Sequence, residues 1–138
     1  MAQYEDCVVF LLAKANQRAQ GVLKRRLHEH GLTPVQHLIL EALWDEEGLS
    51  AGEIGKRLIL DTATLSGVLD RMADAEWILK STDQEDRRVL RLYLSDKAKG
   101  MQDSLINERK RANEEILGGM RLEEKVLLKR LLRDVKGP

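Results

Sequence analysis

The sequence contains a single cysteine, Cys7, among its 138 residues. One cysteine excludes an internal disulfide framework and a metal site built from several cysteines, and it is typical of a protein kept in a reducing compartment. No segment approaches the roughly 20 apolar residues that a membrane-spanning helix needs. The apolar N-terminal patch follows acids and precedes Lys14, so it lacks the basic lead of a signal peptide. We therefore expect a soluble, cytoplasmic protein without a membrane partner.

An excess of either charge is also lacking. Lys and Arg total 23, Asp and Glu total 23, and the formal net charge is zero. No global attraction to nucleic acid or to an anionic membrane follows from such a balance, so a nucleic-acid surface would have to come from local clustering. The length suits one compact domain, or a small domain with outer helices that a partner covers.

Catalytic, cofactor and metal motifs are absent from the sequence too. No nucleophile stands in a recognisable base-bearing motif, and no Gly-rich phosphate loop occurs. His28 and His30 are two residues apart and fall on different helix faces, and no cysteine or carboxylate completes a ligand set with His37. We expect neither an enzyme nor a protein with a cofactor or a metal site.

Helical patterns fill the N-terminal third of the chain. Apolar residues recur at three- and four-residue steps from Val8 to Leu27, which predicts a first helix that Gly31 ends. Thr33, with Pro34 behind it, has the sequence of an N-cap and first helical position, and predicts a second helix that stops before Gly48.

Two short helices with a tight connection follow. Ser50 and Glu53 have capping-box spacing and predict a third helix that ends near Leu58. Asp61 is a predicted N-cap for a fourth helix. One face of this helix is apolar, and small and hydroxyl side chains occupy the other, where they would permit close approach to the base edges of DNA. Two short helices of this kind are typical of a helix-turn-helix.

After Trp77 the spacing of apolar residues changes from the period of a helix to the period of a strand. The segments "ILKST" and "VLRLYLS" alternate apolar and polar residues around the polar turn "DQEDRR", which predicts a two-stranded ribbon, or wing. Ser95 is a predicted cap for a fifth helix that runs to Gly118, and residues 122–135 predict a sixth with a leucine-rich face.

The wing sequence Asp86-Arg87-Arg88, followed by "VLRLYLS" and "DKAKG", resembles the MarR family of winged helix-turn-helix transcriptional regulators. In that family the wing arginine, here Arg88, enters the minor groove and the aspartate, here Asp86, orients it. A narrow A·T-rich minor groove concentrates negative potential that a guanidinium can enter. The resemblance is strong from about Leu32 to Gly100 and looser in the flanking helices.

The resemblance implies a mainly α (α+β) fold: a winged helix-turn-helix lobe over residues 32–95, between N- and C-terminal dimerisation helices over residues 1–31 and 96–138. It implies a homodimer, since the family's flanking helices pair with those of a second subunit. Two positions depart from the family. Glu76-Trp77 stands where a glycine usually follows the recognition helix, and Lys80 stands where the first wing strand usually has an arginine.

Helix N-termini and the wing supply the predicted DNA contacts. Unpaired N–H groups and hydroxyls at helix starts favour phosphate, although the same hydroxyls also serve as ordinary caps. Asp70 and Asp74 would repel phosphate, so the C-terminal half of the fourth helix is expected to point away from DNA. The predicted contacts are Thr33, Gln36, His37, Ser50, Thr62, Thr64, Ser66, Arg71, Lys80, Asp86, Arg87 and Arg88.

These features and the resemblance together imply a homodimeric transcriptional regulator, a repressor or an activator, that binds double-stranded, pseudo-palindromic DNA and responds to a small-molecule effector that the sequence does not specify. A redox alternative assigns organic-hydroperoxide sensing to Cys7, because "LDTATLS" is similar to the recognition helix of that branch of the family. A further alternative is a dimeric helical adaptor that does not bind DNA. A cluster of Lys80, Arg87, Arg88 and Arg91 on the side of the recognition helix would favour DNA over the adaptor.

Overall fold

Seven α-helices and one antiparallel β-ribbon build the computed structural model, in the residues that it describes, 1–58 and 60–138. A short 3-10 turn, Gln3–Asp6, precedes them. The helices and strands are α1 Val8–His28, α2 Pro34–Asp45, α3 Ala51–Leu58, α4 Thr62–Asp74, β1 Ile78–Thr82, β2 Leu90–Leu94, α5 Asp96–Gly100, α6 Gln102–Leu117 and α7 Leu122–Lys136.

The predicted helix starts are confirmed by their caps. The Thr33 hydroxyl accepts a hydrogen bond from the Gln36 N–H, and Gln36 Oε1 accepts one from the Thr33 N–H. The Asp61 carboxylate accepts from the Thr64 N–H, and the Ser95 hydroxyl accepts from the Ala98 N–H. Each cap satisfies a backbone donor that has no partner within its own helix.

The predicted fifth helix is wrong in one respect, because it is two helices. α5 ends at Gly100, and α6 begins at Gln102 after a turn at Met101. Glycine lowers helix stability by about 1 kcal/mol relative to alanine, which makes this position the weak point of a long helix. Ala98 and Leu105, on either side of the break, are both buried. The turn lets each helix direct its own apolar residue into the core.

A single core joins the helix-turn-helix, the wing and the ends of α1 and α6. Leu27 and Leu105 bring the outer helices into this core, and Trp77 and Ile78 bring in the start of the wing. The buried face of α4 is the predicted one and consists of Leu65, Val68, Leu69 and Met72.

The wing is a two-stranded antiparallel ribbon, as predicted. Ile78 pairs with Leu94 and Thr82 with Leu90. A short stretch after α2 adds to the outer edge of β2: the Gly48 N–H donates to the Leu92 carbonyl, and the Leu92 N–H donates to the Leu49 carbonyl. The base of the wing is therefore hydrogen-bonded on both sides. Its tip, residues 83–89, extends beyond the paired region.

Glu76, between α4 and β1, has a left-handed backbone with φ of 63°. This is the position where the resemblance leads one to expect glycine. For a residue with a Cβ this backbone conformation costs about 1–2 kcal/mol of free energy, whereas for glycine the cost is small.

Glu76→Gly is therefore expected to raise the free energy of unfolding by about 1 kcal/mol, after allowance for the greater chain entropy of unfolded glycine. Urea denaturation measures the change. Glu76→Ala is the matched control, because it removes the carboxylate and keeps the Cβ. If Glu76→Gly is no more stable than Glu76→Ala, the left-handed backbone at this position does not destabilise the protein.

The outer helices leave apolar side chains in solvent. α7 has no buried residue, and the first turns of α1 expose Val8, Val9, Leu11 and Leu12. The exposed apolar residues of α7 are Leu122, Val126, Leu127, Leu131, Leu132 and Val135. Among the described helices, none combines the length and the apolar character that crossing a membrane requires.

Candidate nucleic-acid interface

The exposed face of α4 carries the predicted hydroxyl side chains. Thr62, Thr64 and Ser66 are all exposed. Thr62 and Ser66 lie on one flank of the buried apolar face, and Thr64 lies on the other. The Thr64 hydroxyl donates to the Asp61 carboxylate, which also accepts the Thr64 N–H, and these two bonds hold the pKa of Asp61 below its usual value. Thr64 therefore stabilises the start of the helix, while Thr62 and Ser66 are exposed on the other flank.

Arg71, another predicted contact, lies back along α4 toward its N-terminal half. A methyl group on Gly67 would come within 3.4 Å of Arg71 Nη1. Glycine at this position thus leaves room for the guanidinium to lie along the helix. Arg71 can carry its positive charge toward the hydroxyl-bearing end of α4, away from Asp74.

A cleft of about 460 Å³ separates α4 from the wing. Thr62 and Ser66 line it from α4, and Lys80 and Leu90 line it from the wing strands. Lys56, in the last turn of α3, also lines the cleft. The structure thus brings three predicted contacts together with a lysine that sequence reasoning missed, although the basic pair Lys56-Arg57 at the end of a short helix was a visible signal.

An ion pair between Asp70 on α4 and Lys80 on β1 connects the recognition helix to the wing. It offsets the negative charge that made Asp70 an expected source of repulsion toward phosphate. It also means that the Lys80 ammonium already has a partner at the protein surface, so a phosphate would have to compete with Asp70 for it. Lys80 joins the site as a connector between α4 and β1.

The wing tip presents Arg88 to solvent in a fixed orientation. Its side chain is 91% exposed. Arg88 Nε lies 3.1 Å from Asp86 Oδ1 and Arg88 Nη2 lies 3.2 Å from Asp86 Oδ2, while the Arg88 backbone N–H donates to the same carboxylate. The guanidinium beside it holds the pKa of Asp86 below its usual value, with the Arg88 N–H adding to the effect. Arg87 next to it is also exposed.

Arg91 anchors the tip rather than extending the basic surface. Its Nε donates to Asp83 Oδ1 over 3.3 Å and its Nη1 donates to the Gly48 carbonyl over 3.0 Å. Asp83 in turn accepts the Asp86 N–H. Of the four cations whose clustering would favour DNA over an adaptor, Lys80 pairs with Asp70 and Arg91 with Asp83. Arg87 and Arg88 lie at the exposed tip, where Arg88 pairs with Asp86.

Thr33, Gln36 and Ser50 lie in capping interactions at the starts of α2 and α3. The Ser50 hydroxyl accepts from the Glu53 N–H, and the Glu53 carboxylate accepts from the Ser50 N–H. A hydroxyl that accepts one hydrogen bond still has its own O–H to donate. The caps of Thr33 and Ser50 are therefore compatible with a contact to phosphate.

His37 is corrected from a predicted DNA contact to a buried residue. Its side chain is only 1% exposed. The second helix was expected to present position 37 to phosphate, but His37 lies one turn before Leu40 on the buried side of α2, beside the Trp44 ring. An imidazole buried to that extent cannot reach a phosphate outside the protein.

His37 instead lines a cavity of about 210 Å³ where α1, α2 and α6 meet, which we name the inter-helix pocket. Arg109 of α6 is its charged residue. Arg109 Nε lies 2.7 Å from Glu41 Oε2, and Glu41 Oε1 lies 3.9 Å from His37 Nε2. The complete lining is Ala19, Gln20, Leu23, His37, Leu38, Arg109, Ala112, Asn113 and Ile116.

Comparison with known proteins identifies relatives of the chain. A model of the MarR family matches residues 32–90. The transcriptional regulator TtmR of Methylorubrum extorquens is 39% identical over 97 residues, which are 70% of this chain and 48% of TtmR. The transcriptional repressor NicR of Pseudomonas putida is 30% identical over 89% of this chain and 78% of its own length. The chain spans about half the length of the first curated relatives that it matches.

The fold has a solved counterpart over the whole chain. The structure of BpsR from Bordetella bronchiseptica, described as showing how 6-hydroxynicotinic acid regulates its DNA binding, superposes with a TM-score of 0.92. It covers 100% of this chain and 99% of its own, at 25% identity. The arrangement of wing, helix-turn-helix and outer helices is thus similar to that of a protein whose DNA binding is regulated.

Proposed function

The chain belongs to the MarR family of transcriptional regulators, and on that premise we propose that it is a homodimeric repressor that binds a pseudo-palindromic DNA operator and releases it when a small organic anion binds. Family and fold are those of transcriptional regulators rather than of enzymes. In the proposed complex α4 enters the major groove, and the wing reaches the adjacent minor groove.

The wing tip is the observation that carries DNA binding. A guanidinium exposed over 91% of its side chain would normally sample many orientations, but the bidentate contact with Asp86 fixes this one. Holding Arg88 outward has no evident role in stabilising the chain itself. It suits a partner with a narrow, electronegative groove, and the minor groove of A·T-rich DNA is such a partner.

A homodimer supplies the cover that α1 and α7 lack. Large contiguous apolar patches on a soluble protein mark interaction surfaces. The exposed residues of α7 and of the first turns of α1 belong to the two ends of the chain, which the family resemblance assigns to dimerisation. Residues 1–31 and 96–138 are thus the proposed dimerisation helices, and residues 32–95 the proposed DNA-binding lobe.

The inter-helix pocket is the proposed effector site. It is smaller than the roughly 300–1,000 Å³ of pockets for drug-sized ligands, so it suits a single-ring molecule. Arg109 offers a guanidinium to an acid group, and apolar residues such as Leu23 and Ile116 offer contact to a ring. A ligand for BpsR, 6-hydroxynicotinic acid, is an organic acid of this size.

Fluorescence anisotropy tests the proposal, with labelled DNA from the region upstream of the protein's own gene compared with a scrambled duplex. The expected result is tighter binding to the native fragment, with an affinity that falls steeply as salt rises, because bound Lys and Arg release counterions from DNA. Equal and weak binding to this and to other genomic fragments would favour the adaptor alternative.

Peroxide sensing through Cys7 is the second candidate, and the structure favours it little. Cys7 is exposed and lies before α1, as its N-cap. The nearby aromatic contact joins Tyr4 to Phe10. We expect Cys7→Ser to keep its DNA affinity and its response to effector. Loss of a peroxide-induced release from DNA in Cys7→Ser, measured against wild type, would restore the redox function.

A further inference from the structure

His37 is a buried histidine without a hydrogen-bond partner. Both ring nitrogens are shielded from solvent, and neither has a partner among the described residues. A buried polar group without a partner costs free energy, so such groups are rare and call for an explanation. His37 lines the inter-helix pocket, so a charge bound in that pocket would act on its shielded ring through space.

The charges around His37 nearly cancel. Its own helix, α2, contributes the Glu41 carboxylate, and α6 contributes the Arg109 guanidinium, which is paired with Glu41. The lining that α1 contributes is uncharged: Ala19, Gln20 and Leu23. With the charges balanced, burial dominates and lowers the pKa of His37, while Glu41 raises it and Arg109 lowers it further. In the empty pocket the imidazole is therefore neutral near pH 7.

We infer that an organic anion enters the inter-helix pocket together with a proton, and that His37 takes up this proton. The inference rests on the proposed function, since it concerns the regulation of the same effector site. An acid group bound beside Arg109 adds one negative charge to surroundings that were balanced. Protonating His37 restores the balance, because the positive charge on the ring offsets the bound anion and is attracted to the nearby Glu41 carboxylate.

The direction in which pH changes the affinity for the anion follows from the protonation of His37. The bound anion raises the pKa of His37 from its lowered value, so binding takes up a proton at any pH between the pKa of the free form and that of the bound form. Within that window the affinity for the anion rises as pH falls, by at most about tenfold per pH unit. Outside the window the affinity does not depend on His37. A neutral ligand of the same shape does not take up a proton.

Isothermal titration calorimetry with benzoate and benzamide tests the inference. Benzoate is an anion with a single ring, and benzamide is its neutral counterpart. Titrations between about pH 5 and 8, each repeated in two buffers that are effective at that pH and differ in ionisation enthalpy, give the number of protons exchanged from the difference in apparent enthalpy. We expect benzoate to bind with uptake of a proton that approaches one per site, and benzamide to bind without uptake. Benzoate binding without uptake throughout this range would overturn the inference.

Substitution assigns the proton to one residue. His37→Gln should bind benzoate without proton uptake, and His28→Gln, at an exposed position of α1, should take up the proton as wild type does. Uptake that persists in His37→Gln would overturn the assignment. NMR titration of the His37 ring in the wild-type protein is a second readout that needs no variant. Benzoate should raise its pKa, and an unchanged pKa contradicts the inference.

The two proposals fail differently. Benzoate that binds and releases DNA without proton uptake removes only the role of His37. An absence of binding by benzoate and by 6-hydroxynicotinate alike removes the anion pocket and the proton linkage together, and leaves DNA binding to be judged by anisotropy.

Discussion

Leu131→Asp is expected to make the protein monomeric and to weaken its binding to a two-half-site operator by about 100-fold or more, since linked half-site contacts typically gain that much over single ones. Leu131 lies on the apolar face of α7, which is exposed in the single chain. A carboxylate placed in the centre of the proposed interface would be buried without a partner, at a cost of several kcal/mol. Analytical ultracentrifugation measures the assembly, and anisotropy measures the affinity.

Lys129→Asp is the matched control for this substitution. Two residues along a helix correspond to a turn of about 200°, so Lys129 lies on the opposite side of α7 from Leu131. The control introduces the same side chain and should remain dimeric. A Leu131→Asp protein that sediments as the wild type does would show that α7 is covered by something other than a second copy.

Arg88→Ala is expected to weaken operator binding by about 1–3 kcal/mol for each subunit contact, the range for a well-placed arginine at a base. This corresponds to a factor of about 5 to 150. The fold should be unaffected, because the Arg88 side chain is almost entirely in solvent. Anisotropy on the native operator measures the loss, and circular dichroism checks the fold.

Two further measurements separate a groove contact from a phosphate contact by Arg88. A phosphate contact would be lost equally on all sequences and would lower the salt slope by about 1. A minor-groove contact would be lost mainly on operators with A·T-rich flanks. Asp86→Asn should reproduce part of the loss, because the guanidinium would lose its charged partner. Unchanged affinity in folded Arg88→Ala would remove the wing from the mechanism.

The features that were predictable from the sequence are those set by near neighbours. A cap joins residues three apart, as Thr33 and Gln36 are, and the alternation of Leu90, Leu92 and Leu94 depends only on the pleat of one strand. The break at Met101 had a visible signal in Gly100. The burial of His37 had one too, since it is three residues before Leu40 on the same side of a helix.

Contacts between distant segments had no such signal. The Asp70–Lys80 pair depends on how the start of the wing turns back on α4, and the bond from Arg91 to Gly48 joins residues 43 apart. Local patterns show that Asp70 is acidic and Arg91 is basic. They do not show that each side chain pairs with another residue of the chain. The pocket between α1, α2 and α6 also depends on packing, so its lining was not predictable from the helices taken singly.

The hydrogen bonds from β2 to the corner after α2 couple the position of the wing tip to the orientation of α2. The Gly48 N–H, the Leu49 carbonyl and Arg91 fasten the base of β2 to this corner. Arg88, in the turn at the tip, is four residues before Leu92 and therefore at most about 13 Å from it. If α2 and its corner rotate as a rigid body by about 10°, the tip sweeps through at most about 2 Å. Such a displacement exceeds the tolerance of a hydrogen bond in a groove. A small rotation near His37, at the other end of α2, is thus magnified at the point where the protein would hold its operator.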